Sequence, residues 1–402
     1  MSADKSSPHP SADDENETAP DAIDDEDTGR GDAFVKPWDP GKIRITTKHF
    51  SLRDVVDQIR DKDIDLSPDF QRDYVWKQRQ RTRLIESILL GIPLPAFYFN
   101  QDNEGKYQVV DGVQRLSTIS LFMQDNHTLD KADLEYLTDL HDLKFSELDS
   151  PALRRFRSTQ IVVHIIEPQT PDEVKYDIFS RVNTLGSPLS AQEIRHAMSK
   201  QRSRDFLTEL SEMREFDEAT QWHYWRRTQN SNGRFDKVRD SGRMTNRELI
   251  LRFCAFRNYS DAEYRKHSSL DAFLVAYTKR LDGCSSDQPA VSAKEMDELK
   301  VDFSRAMQNA HNILQKAAFR RFPPNQVRRG PINRAVFEAQ AIALADYRLD
   351  LLLPNKQKIV DAFRSVFADP EYSRSVTVGT GDPKAVERRL CYTKDILAGA
   401  IK

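Results

Sequence analysis

The chain has 402 residues, of which 38% are hydrophobic and 31% charged, a composition typical of a globular protein with a sizeable core. Its apolar runs are interrupted well before the roughly 20 residues that a membrane helix needs, and no signal-peptide pattern opens the chain, so we expect a cytoplasmic protein without a membrane partner. The three cysteines are far apart, which excludes a disulfide framework and a Cys-x-x-Cys metal site.

Charge is distributed unevenly along the chain. Residues 1–32 hold eleven acidic and two basic side chains, a net charge of −9, which leaves +6 on the other 370 residues. A segment of this composition cannot support a core, so we predict an acidic disordered tail over residues 1–33. The alternative interpretation is functional, since an acidic tail can mask a cationic groove or discourage nonspecific DNA binding.

Helical and strand patterns alternate over residues 34–190. Ser-x-x-acid capping boxes begin helices at Ser51 and Ser190, while Gly91 and Gly186 mark helix ends. Apolar spacing predicts, in chain order, two helices, two short strands, a helix, a strand and a helix. The segments are SLRDVVDQIRDKDI, KQRQRTRLIESILLG, LPAFYFN, YQVVD, GVQRLSTISLFMQ, QIVVHIIE and PDEVKYDIFSRVN. This order predicts one compact domain in which helices pack on a sheet.

Strand patterns almost vanish after residue 190. Segments such as RELILRFCAFRNY, LDAFLVAYTKRL and INRAVFEAQAIALADYRLDLLL carry apolar residues at helical spacing. We therefore predict a mainly α-helical domain over residues 191–402, and an α+β fold class for the whole chain.

The segment VVDGVQR contains an acid, a glycine and an arginine where a strand passes into a helix. The free N–H groups and the dipole of a helix N-terminus favour an anion such as a phosphate, and Arg115 can add a bidentate cationic contact. Asp111 can hold a Mg²⁺ ion that bridges phosphates, or it can orient a neighbouring arginine. In the structural alternative, Asp111 caps the helix and Arg115 is an ordinary surface charge.

Two further segments contain residues suited to a nucleotide. The loop PDFQRDYVW surrounds Gln71 and Arg72 with three aromatic side chains, which either close over a nucleotide or cover the core. The segment FSRVNTLGSPLSAQEIR carries Arg181 and Asn183, which can reach a phosphate or a sugar. In that segment Gly186 and the capping box are explained by helix ends alone.

Arginine is concentrated in two stretches of the helical half. WHYWRRTQNSNGRFDKVRDSGR mixes Arg226 and Arg227 with aromatic residues, and FRRFPPNQVRRGPINR contains Arg328 and Arg329. Arginine interleaved with aromatic residues suits nucleic-acid backbones and exposed bases, so we predict DNA-binding residues here. The alternative is a pair of loops held together by scattered ion pairs.

The order and spacing of four segments resemble the GmrSD-type N-terminal domain family (DUF262). They are PDFQRDYVW, LIESILLGIPLPAFYF, VVDGVQRLSTI and FSRVNTLGSPLSAQEIR, within roughly residues 45–200. The family is similar to the ParB/sulfiredoxin-like fold and has a DGQQR signature, so the resemblance implies a ParB-like N-terminal α/β domain. It also implies nucleotide binding and hydrolysis in bacterial defence against phage or modified foreign DNA.

The resemblance assigns roles to residues of the signature. Asp111, Gly112, Gln114 and Arg115 match it, and Val113 stands where it has its first glutamine. By this resemblance Asp111 coordinates Mg²⁺ or fixes an arginine, Arg115 grips phosphates, and Gln114 orients the attacking water. Because valine cannot form that hydrogen bond, the water-positioning role falls to Gln114 or is lost.

Residues outside the signature complete the predicted site. Gln71 and Arg72 match an upstream Gln-Arg pair, and Arg181, Asn183 and Gly186 match an Arg-x-Asn-x-x-Gly segment. We expect Arg72 to act with the catalytic residues and also to contact the nucleotide, together with Gln71, Arg181 and Asn183. The expected cofactor is Mg²⁺ with a nucleoside triphosphate whose base the sequence does not specify.

The predicted function is that of a nucleotide-binding, Mg²⁺-dependent NTP-hydrolysing protein of a bacterial anti-phage or DNA-restriction system. The alternative is a DNA-binding regulator or adaptor that uses the nucleotide as a switch without turnover. No P-loop is present and the nine histidines are scattered, so neither Walker-type hydrolysis nor an HNH nuclease domain is predicted. Expected partners are a nucleoside triphosphate, DNA, a separate nuclease or other effector, and a second copy of the chain.

Overall fold

The computed structural model describes residues 27, 39–66, 76–182, 190–229, 235–239, 243–285 and 287–402. The chain forms two compact units, each built from more than one stretch of sequence. We call Lys36–Arg204 with Val275–Pro289 the sheet unit, and Asp205–Leu274 with Ala290–Lys402 the helical unit, to which Asp27 also belongs. The predicted acidic tail and the predicted domain boundary between residues 190 and 191 stay predictions.

The elements of the sheet unit begin with a strand. Its strands are β1 (Ile45–Ser51), β2 (Ile64–Asp65), β3 (Phe97–Gln101), β4 (Tyr107–Asp111) and β5 (Gln160–Ile166). Its helices are α1 (Leu52–Arg60), α2 (Gln78–Leu90), α3 (Val113–Met123), α4 (Ser150–Ser158), α5 (Asp172–Val182) and α6 (Ala191–Ala197). Short 3-10 helices lie at Pro40–Lys42, Thr138–Leu140 and Phe145–Glu147.

The strands of the sheet unit pair in the order β1-β5-β3-β4-β2. β5 is antiparallel to β1 and parallel to β3, whereas β4 is antiparallel to β3 and parallel to β2. On one face, Phe97 and Phe99 pack in a single apolar core with residues of α1, α2, α3 and α4. On the other face, Val110 packs with Phe179 of α5 and Ile194 of α6. The sheet is therefore covered on both faces, and β4 delivers its last residue to the start of α3.

All seven helices and strands predicted for residues 34–190 are present. The hydroxyl of Ser51 accepts the N–H of Asp54 at 3.1 Å, and that of Ser190 accepts the N–H of Glu193 at 3.1 Å, so both predicted caps are confirmed. The predicted helix end at Gly91 is confirmed by a left-handed backbone with φ of 78°. The other predicted helix end, Gly186, lies outside the described residues.

The sequence patterns do not predict β1 or β2. β1 lies at the edge of the sheet with mostly exposed side chains, so it lacks the apolar alternation of a half-buried strand. β2 has only two residues, and its strand conformation comes from pairing with β4, which is distant in sequence. Both strands depend on tertiary partners that local patterns do not encode.

A buried carboxylate fastens the irregular segment between α3 and α4. Glu86 of α2 is 3% exposed and accepts the backbone N–H groups of Glu135, Tyr136 and Leu137 at distances of 2.7–3.1 Å. Burial raises the pKa of Glu86, but these hydrogen bonds outweigh burial, and the pKa is lowered. The ionised side chain thus accepts hydrogen bonds from three backbone N–H groups that lie outside any helix or strand.

The stretch Val275–Pro289 belongs to the sheet unit through specific polar contacts. The carboxylate of Asp282 accepts the backbone N–H groups of Lys200 and Ser203, each at 2.8 Å. Lys279 forms an ion pair with Asp172 at the start of α5. A segment from the second half of the sequence therefore completes this unit.

The remaining elements follow in chain order. The helices are α7 (Gln201–Ser211), α8 (Arg214–Ala219), α9 (Thr245–Arg257), α10 (Asp261–Tyr264), α11 (Leu270–Asp282), α12 (Ala293–Asn309), α13 (Arg334–Ala345), α14 (Leu349–Leu352), α15 (Lys356–Ser365), α16 (Pro370–Ser375) and α17 (Pro383–Ile401). A π-helix spans Ala310–Leu314, and 3-10 helices span Gln315–Ala317, Leu353–Asn355 and Val366–Ala368. The strands are β6 (Trp225–Gln229) and β7 (Phe235–Arg239), which pair as an antiparallel ribbon.

The interior of the helical unit contains a network of paired charges. α9 and α13 are buried along almost their whole length. Arg252 of α9 contacts Glu248 at 2.9 Å and Glu338 of α13 at 3.5 Å, and Glu338 also pairs with Arg389 of α17. Glu338 and Arg389 have no exposed surface. Arginine in this unit therefore serves partly as an internal ion-pair partner, since a buried charge without a partner is strongly destabilising.

The fold class is mixed α+β, with an N-terminal sheet and a mainly helical C-terminal part, as predicted. The β6–β7 ribbon departs from the expectation that strands almost vanish after residue 190. Kinship with the ParB/sulfiredoxin-like fold stays a prediction. Among the described residues, no helix combines the length and the apolarity needed to cross a membrane.

Candidate functional site

The predicted site begins where β4 passes into α3. β4 ends at Asp111, Gly112 is the N-cap residue, and α3 begins at Val113. Gly112 adopts φ of 96°, in the left-handed region that side chains disfavour, and a Cβ atom there would lie 2.2 Å from Cδ1 of Phe97. The turn therefore requires glycine both for its backbone conformation and for the close approach of the Phe97 ring.

Arg115 is a largely buried clamp at this turn. Its side chain is 13% exposed and donates to the carbonyl oxygens of Pro95 and Ala96 and to Oδ2 of Asp111, the last at 2.8 Å. The guanidinium lies over the ring of Phe97, 4.1 Å from its centroid. Burial lowers the pKa of Arg115, and the Asp111 carboxylate opposes that change. The arginine thus joins the end of β4 to the chain that enters β3.

This geometry excludes the structural alternative for the turn. Asp111 does not cap α3, because Gly112 is the N-cap residue and supplies no side-chain hydrogen bond. Arg115 is not an ordinary surface charge. The Asp111 side chain is 34% exposed, and its Oδ1 atom accepts no hydrogen bond from the described residues. Asp111 therefore orients an arginine through one oxygen while the other remains available.

The two residues that follow Gly112 have opposite environments. Val113 packs against the apolar core of the sheet unit, so the residue that departs from the signature contributes packing. Gln114 instead has a buried Oε1 atom that lacks a hydrogen-bond donor among the described residues. A buried acceptor without a partner costs about 1–3 kcal/mol. The described part of the fold therefore gives no structural reason for a buried glutamine at position 114, where its unsatisfied oxygen lowers stability.

The left-handed glycine and the clamped arginine lie within a stretch that a known family covers. Residues 52–199 match the model of the family described as GmrSD restriction endonuclease, N-terminal domain. We call these residues the GmrSD-type domain. It begins at the first residue of α1 and ends after α6, so β1 and the helical unit lie outside it. No curated protein and no solved structure matches the chain.

The other predicted residues of the GmrSD-type domain are less fully described. Gln71, Arg72 and Asn183 lie outside the described residues. Arg181 lies in the last turn of α5, where its Nε atom donates to Asp177 at 2.8 Å and its side chain is 68% exposed. The structure thus places the signature residues at one turn, while the contributions of the other four stay predictions.

Asp111 is the predicted Mg²⁺ ligand of the GmrSD-type domain. Within the described part of the chain, no group of three or more His, Cys, Asp or Glu side chains is arranged to hold a metal ion. Mg²⁺ commonly takes one or two carboxylates and completes its coordination with phosphate oxygens and water. The available Oδ1 of Asp111 fits that pattern for a metal that arrives together with phosphates.

The predicted DNA-binding residues lie in different surroundings. Arg226 and Arg227 are exposed on β6, and Arg328 is exposed in the loop that precedes α13. Arg329 of the same loop is half-buried, and Arg320 is 3% exposed. Arg320 donates to the carbonyl oxygen of Gly330, and Arg334 forms an ion pair with Glu248, so part of the second arginine-rich stretch has structural contacts. β6 instead presents its arginines to solvent.

Two features of these sites have no local sequence signal. Phe97 meets both Gly112 and Arg115, but a whole β-hairpin separates it from them in the sequence. Lys237 faces Arg227 only because β6 and β7 pair. The sequence marks the ribbon by interleaved aromatic residues and arginines. Nothing in the sequence indicates that its two strands pair.

Proposed function

We propose that this protein binds a nucleoside triphosphate at the junction of β4 and α3 and hydrolyses it with Mg²⁺, as part of a bacterial anti-phage or DNA-restriction system. The match to the GmrSD family supports the restriction and defence theme. Nucleotide turnover is the finer part of the proposal and is supported by the chemistry of the junction. A separate nuclease or other effector would then perform any cleavage of DNA.

The observation that carries the proposal is a coincidence of two unsatisfied features in one turn of helix. α3 begins without a side-chain cap, and Gln114 in its first turn holds a buried oxygen that receives no hydrogen bond from the described part of the chain. Because the turn requires glycine at its N-cap, no side chain can cap these N–H groups, and they stay open to a ligand. A turn with only a structural role would also be more stable with an apolar residue at position 114. A phosphate that accepts the helix N–H groups, together with a water that donates to Gln114, satisfies both.

Each described residue then has a separate role. The N-terminal N–H groups of α3 bind phosphate oxygens, and Gln114 orients the attacking water. Arg115 is a positioning residue, because its guanidinium already donates to two carbonyl groups and to Asp111. Direct contact between an arginine and the phosphates falls to Arg72 in this proposal.

Asp111 would hold Mg²⁺ through the oxygen that Arg115 does not use. When bound, the metal neutralises negative charge on the phosphates during transfer. The clamp of Arg115 on Oδ2 fixes the orientation of the carboxylate, which limits the number of positions that Oδ1 can occupy.

Phosphate release from each nucleoside triphosphate with Mg²⁺, with and without DNA, tests this proposal. Asp111→Asn preserves the shape of the side chain and an acceptor for Arg115, and we expect release to fall by about 10- to 100-fold. Glu104→Gln is the matched control. It neutralises a carboxylate that is 77% exposed in the turn between β3 and β4, and it should leave release unchanged.

Two results would contradict the proposal in different ways. Wild-type protein that binds nucleotide without releasing phosphate is not a hydrolase. If the wild type and Asp111→Asn are both folded and release phosphate equally fast, the nucleotide site does not lie at the β4–α3 junction.

The second candidate function is a DNA-binding regulator or adaptor in which the nucleotide acts as a switch. The exposure of Arg226 and Arg227 on the ribbon favours it. Under this candidate, exchange of these residues and of Arg328 and Arg329 for Glu abolishes a strongly salt-dependent DNA mobility shift. An unchanged shift excludes these arginines as the DNA contacts.

A further inference from the structure

One face of the β6–β7 ribbon combines aromatic and cationic side chains. Directly opposite residues of an antiparallel pair lie on the same face, and faces alternate along each strand. The register pairs Trp225 with Arg239 and Arg227 with Lys237, so these side chains share a face with Phe235, two residues from Lys237. We call these five residues the aromatic face.

The base of the aromatic face is fixed to the helical unit. Arg239 donates to both carboxylate oxygens of Asp217 in α8, each at 2.6 Å, and its guanidinium lies 4.8 Å from the ring centroid of Trp225. Asp217 is 2% exposed. The ring of Trp222 meets that of Trp225 with 5.8 Å between centroids, so from here on the aromatic face also includes Trp222 at its anchored end.

The aromatic face contains arrangements that destabilise a free protein. Trp222 is 50% exposed, and Gln221 and Trp222 adopt φ of 58° and 59°, which bulky side chains disfavour. Arg227 and Lys237 are exposed and directly opposite each other, and neither forms an ion pair with a described residue. Like charges in that position repel. Phe235 is 69% exposed. A ligand that carries both negative charges and flat apolar surfaces would offset the repulsion between the two cations and cover the exposed rings together.

We propose that the aromatic face binds single-stranded DNA. Trp222 and Phe235 stack on bases, while Arg227 and Lys237 between them contact phosphates. Single strands offer this alternation of charged backbone and exposed base faces. The choice of DNA as the partner rests on the DNA-binding candidate above. The surface itself lies in the helical unit, outside the GmrSD-type domain, and does not depend on nucleotide turnover.

Duplex DNA fits this surface less well than a single strand. In a duplex the faces of the bases are stacked on their neighbours, and a ribbon in the major groove reads base edges with polar side chains. The two most exposed aromatic residues of this surface, Trp222 and Phe235, offer ring faces instead. Their positions at either side of a cation pair match stacking platforms interspersed with phosphate contacts.

The stacking role is tested by the anisotropy of a labelled single strand of about 20 nucleotides, titrated with the full chain. Trp222→Ala should weaken binding by about tenfold or more, whereas Trp222→Phe keeps an aromatic ring and should retain most of the affinity. Tyr136→Ala is the control, because it removes a side chain that is 73% exposed but lies in the sheet unit. Its affinity should equal that of the wild type.

Trp222→Gly separates binding from folding. Glycine adopts the left-handed conformation without strain, which offsets the loss of a half-exposed ring. We therefore expect a melting temperature close to that of the wild type and an affinity as low as that of Trp222→Ala.

The phosphate role is tested by the double substitution Arg227→Gln with Lys237→Gln. A single strand releases about 0.7 counterions per neutralised phosphate, so the slope of log affinity against log salt should fall by about 1.4. Loss of the like-charge pair should leave the melting temperature unchanged or raised. Lys294→Gln removes a cation whose side chain is 87% exposed on α12 and should leave the slope unchanged.

Several outcomes overturn the inference. They are equal affinity of wild type and Trp222→Ala, absence of wild-type binding at low salt, and tighter binding of the duplex or of RNA of the same sequence. Phosphate release measured on the same samples separates this inference from the proposed function. If DNA binding is lost while phosphate release stays normal, the proposed nucleotide site is unaffected. If phosphate release is lost while DNA binding stays normal, the aromatic face is unaffected.

Discussion

At the scale of single residues, Arg115 is held by contacts within the protein. Spacing in the sequence places it one helical turn after Asp111, and the structure joins the two at 2.8 Å. The same guanidinium holds the chain before β3 and covers the ring of Phe97. Arg115→Lys is therefore not a conservative change, because an ammonium group cannot reproduce the planar fork that serves three acceptors.

A substitution of Gln114 can distinguish a structural role of this residue from a functional one. In Gln114→Met the side chain keeps its length but loses a buried oxygen that has no donor among the residues with described positions, so the free energy of unfolding should rise by about 1 kcal/mol. Phosphate release should fall at the same time, because no amide remains to orient water. Urea unfolding and a phosphate-release assay measure the two effects on one preparation.

Gln124→Met is the matched control for that prediction. Gln124 ends the same helix, and its amide donates to Ser120 at 3.1 Å, so its replacement should lower stability slightly and leave phosphate release intact. If Gln114→Met is less stable than the wild type and still releases phosphate, the oxygen has a structural partner, and its proposed role is lost.

Gly112 and Gly91 form a natural pair for measuring what the turn requires. Both are left-handed, but a Cβ atom meets Phe97 at Gly112 and nothing within 4 Å at Gly91. Gly91→Ala should therefore cost about 1 kcal/mol of unfolding free energy, from backbone strain alone. Gly112→Ala should cost about 3 kcal/mol, because overpacking against the ring is added. Equal costs in urea unfolding would show that the Phe97 contact is unimportant.

Sequence reasoning identified the residues of this turn but not the reasons for them. Asp-Gly at the end of a strand pattern predicted a tight turn at Gly112, and that turn is present. The burial of Arg115 could not be predicted, because it depends on atoms of β3 and of the chain that enters it. The buried Gln114 oxygen, which lacks a donor among the described residues, has no sequence signal either. Only packing distinguishes an arginine that grips a ligand from one that holds its neighbours.

At the scale of elements, Glu86 is the residue whose charge shapes the segment after α3. Glu86→Gln removes the negative charge that the N–H groups of Glu135, Tyr136 and Leu137 face, so we expect a loss of about 2 kcal/mol at neutral pH. Hydrogen exchange at these three amides should accelerate in the variant. Glu135→Gln changes a carboxylate that is 49% exposed and should cost far less.

The effect of Glu86 should depend on pH in one direction. Its pKa in the folded protein lies below the ordinary value of 4.5, so its stabilisation is complete above that value and is lost as the pH falls through the folded pKa. The stability difference between the wild type and Glu86→Gln should therefore shrink in acid. A difference that stays constant into strong acid would contradict a role for the ionised carboxylate.

Elements with their own periodicity were predictable, and elements stabilised by a distant partner were not. Ser51, Gly91 and Ser190 mark helix boundaries through local hydrogen bonds, and all three predictions are confirmed. β1 and the β6–β7 ribbon carry exposed side chains, so neither shows the alternation of a strand with one buried face. In the sequence, the ribbon is marked only by a run of arginines and aromatic residues.

At the scale of the whole molecule, the acidic N-terminus opposes the charge of the rest of the chain. Residues 1–26 contain nine acidic side chains and one lysine, and deleting them leaves Asp27 in place. If the tail competes with nucleic acid, the deletion should tighten binding of single-stranded DNA by about threefold at low salt and by less at higher salt. Anisotropy at two salt concentrations measures the difference.

A neutralised tail is the control for that deletion. Full-length protein in which the nine acids are changed to Asn or Gln should bind DNA as tightly as the deletion does. If the deletion tightens binding and the neutralised tail does not, the effect comes from the length of the tail and not from its charge.

The discontinuity of the sheet unit has a consequence for how the protein is made. The ribosome releases the chain from its N-terminus, and domains generally begin to fold as they emerge. The backbone N–H groups of Lys200 and Ser203 find their acceptor only when Asp282 has emerged from the ribosome, after the whole first stretch of the helical unit. The sheet unit is therefore finished late, and cutting the gene after the codon for Arg204 would yield a fragment that never receives its closing carboxylate.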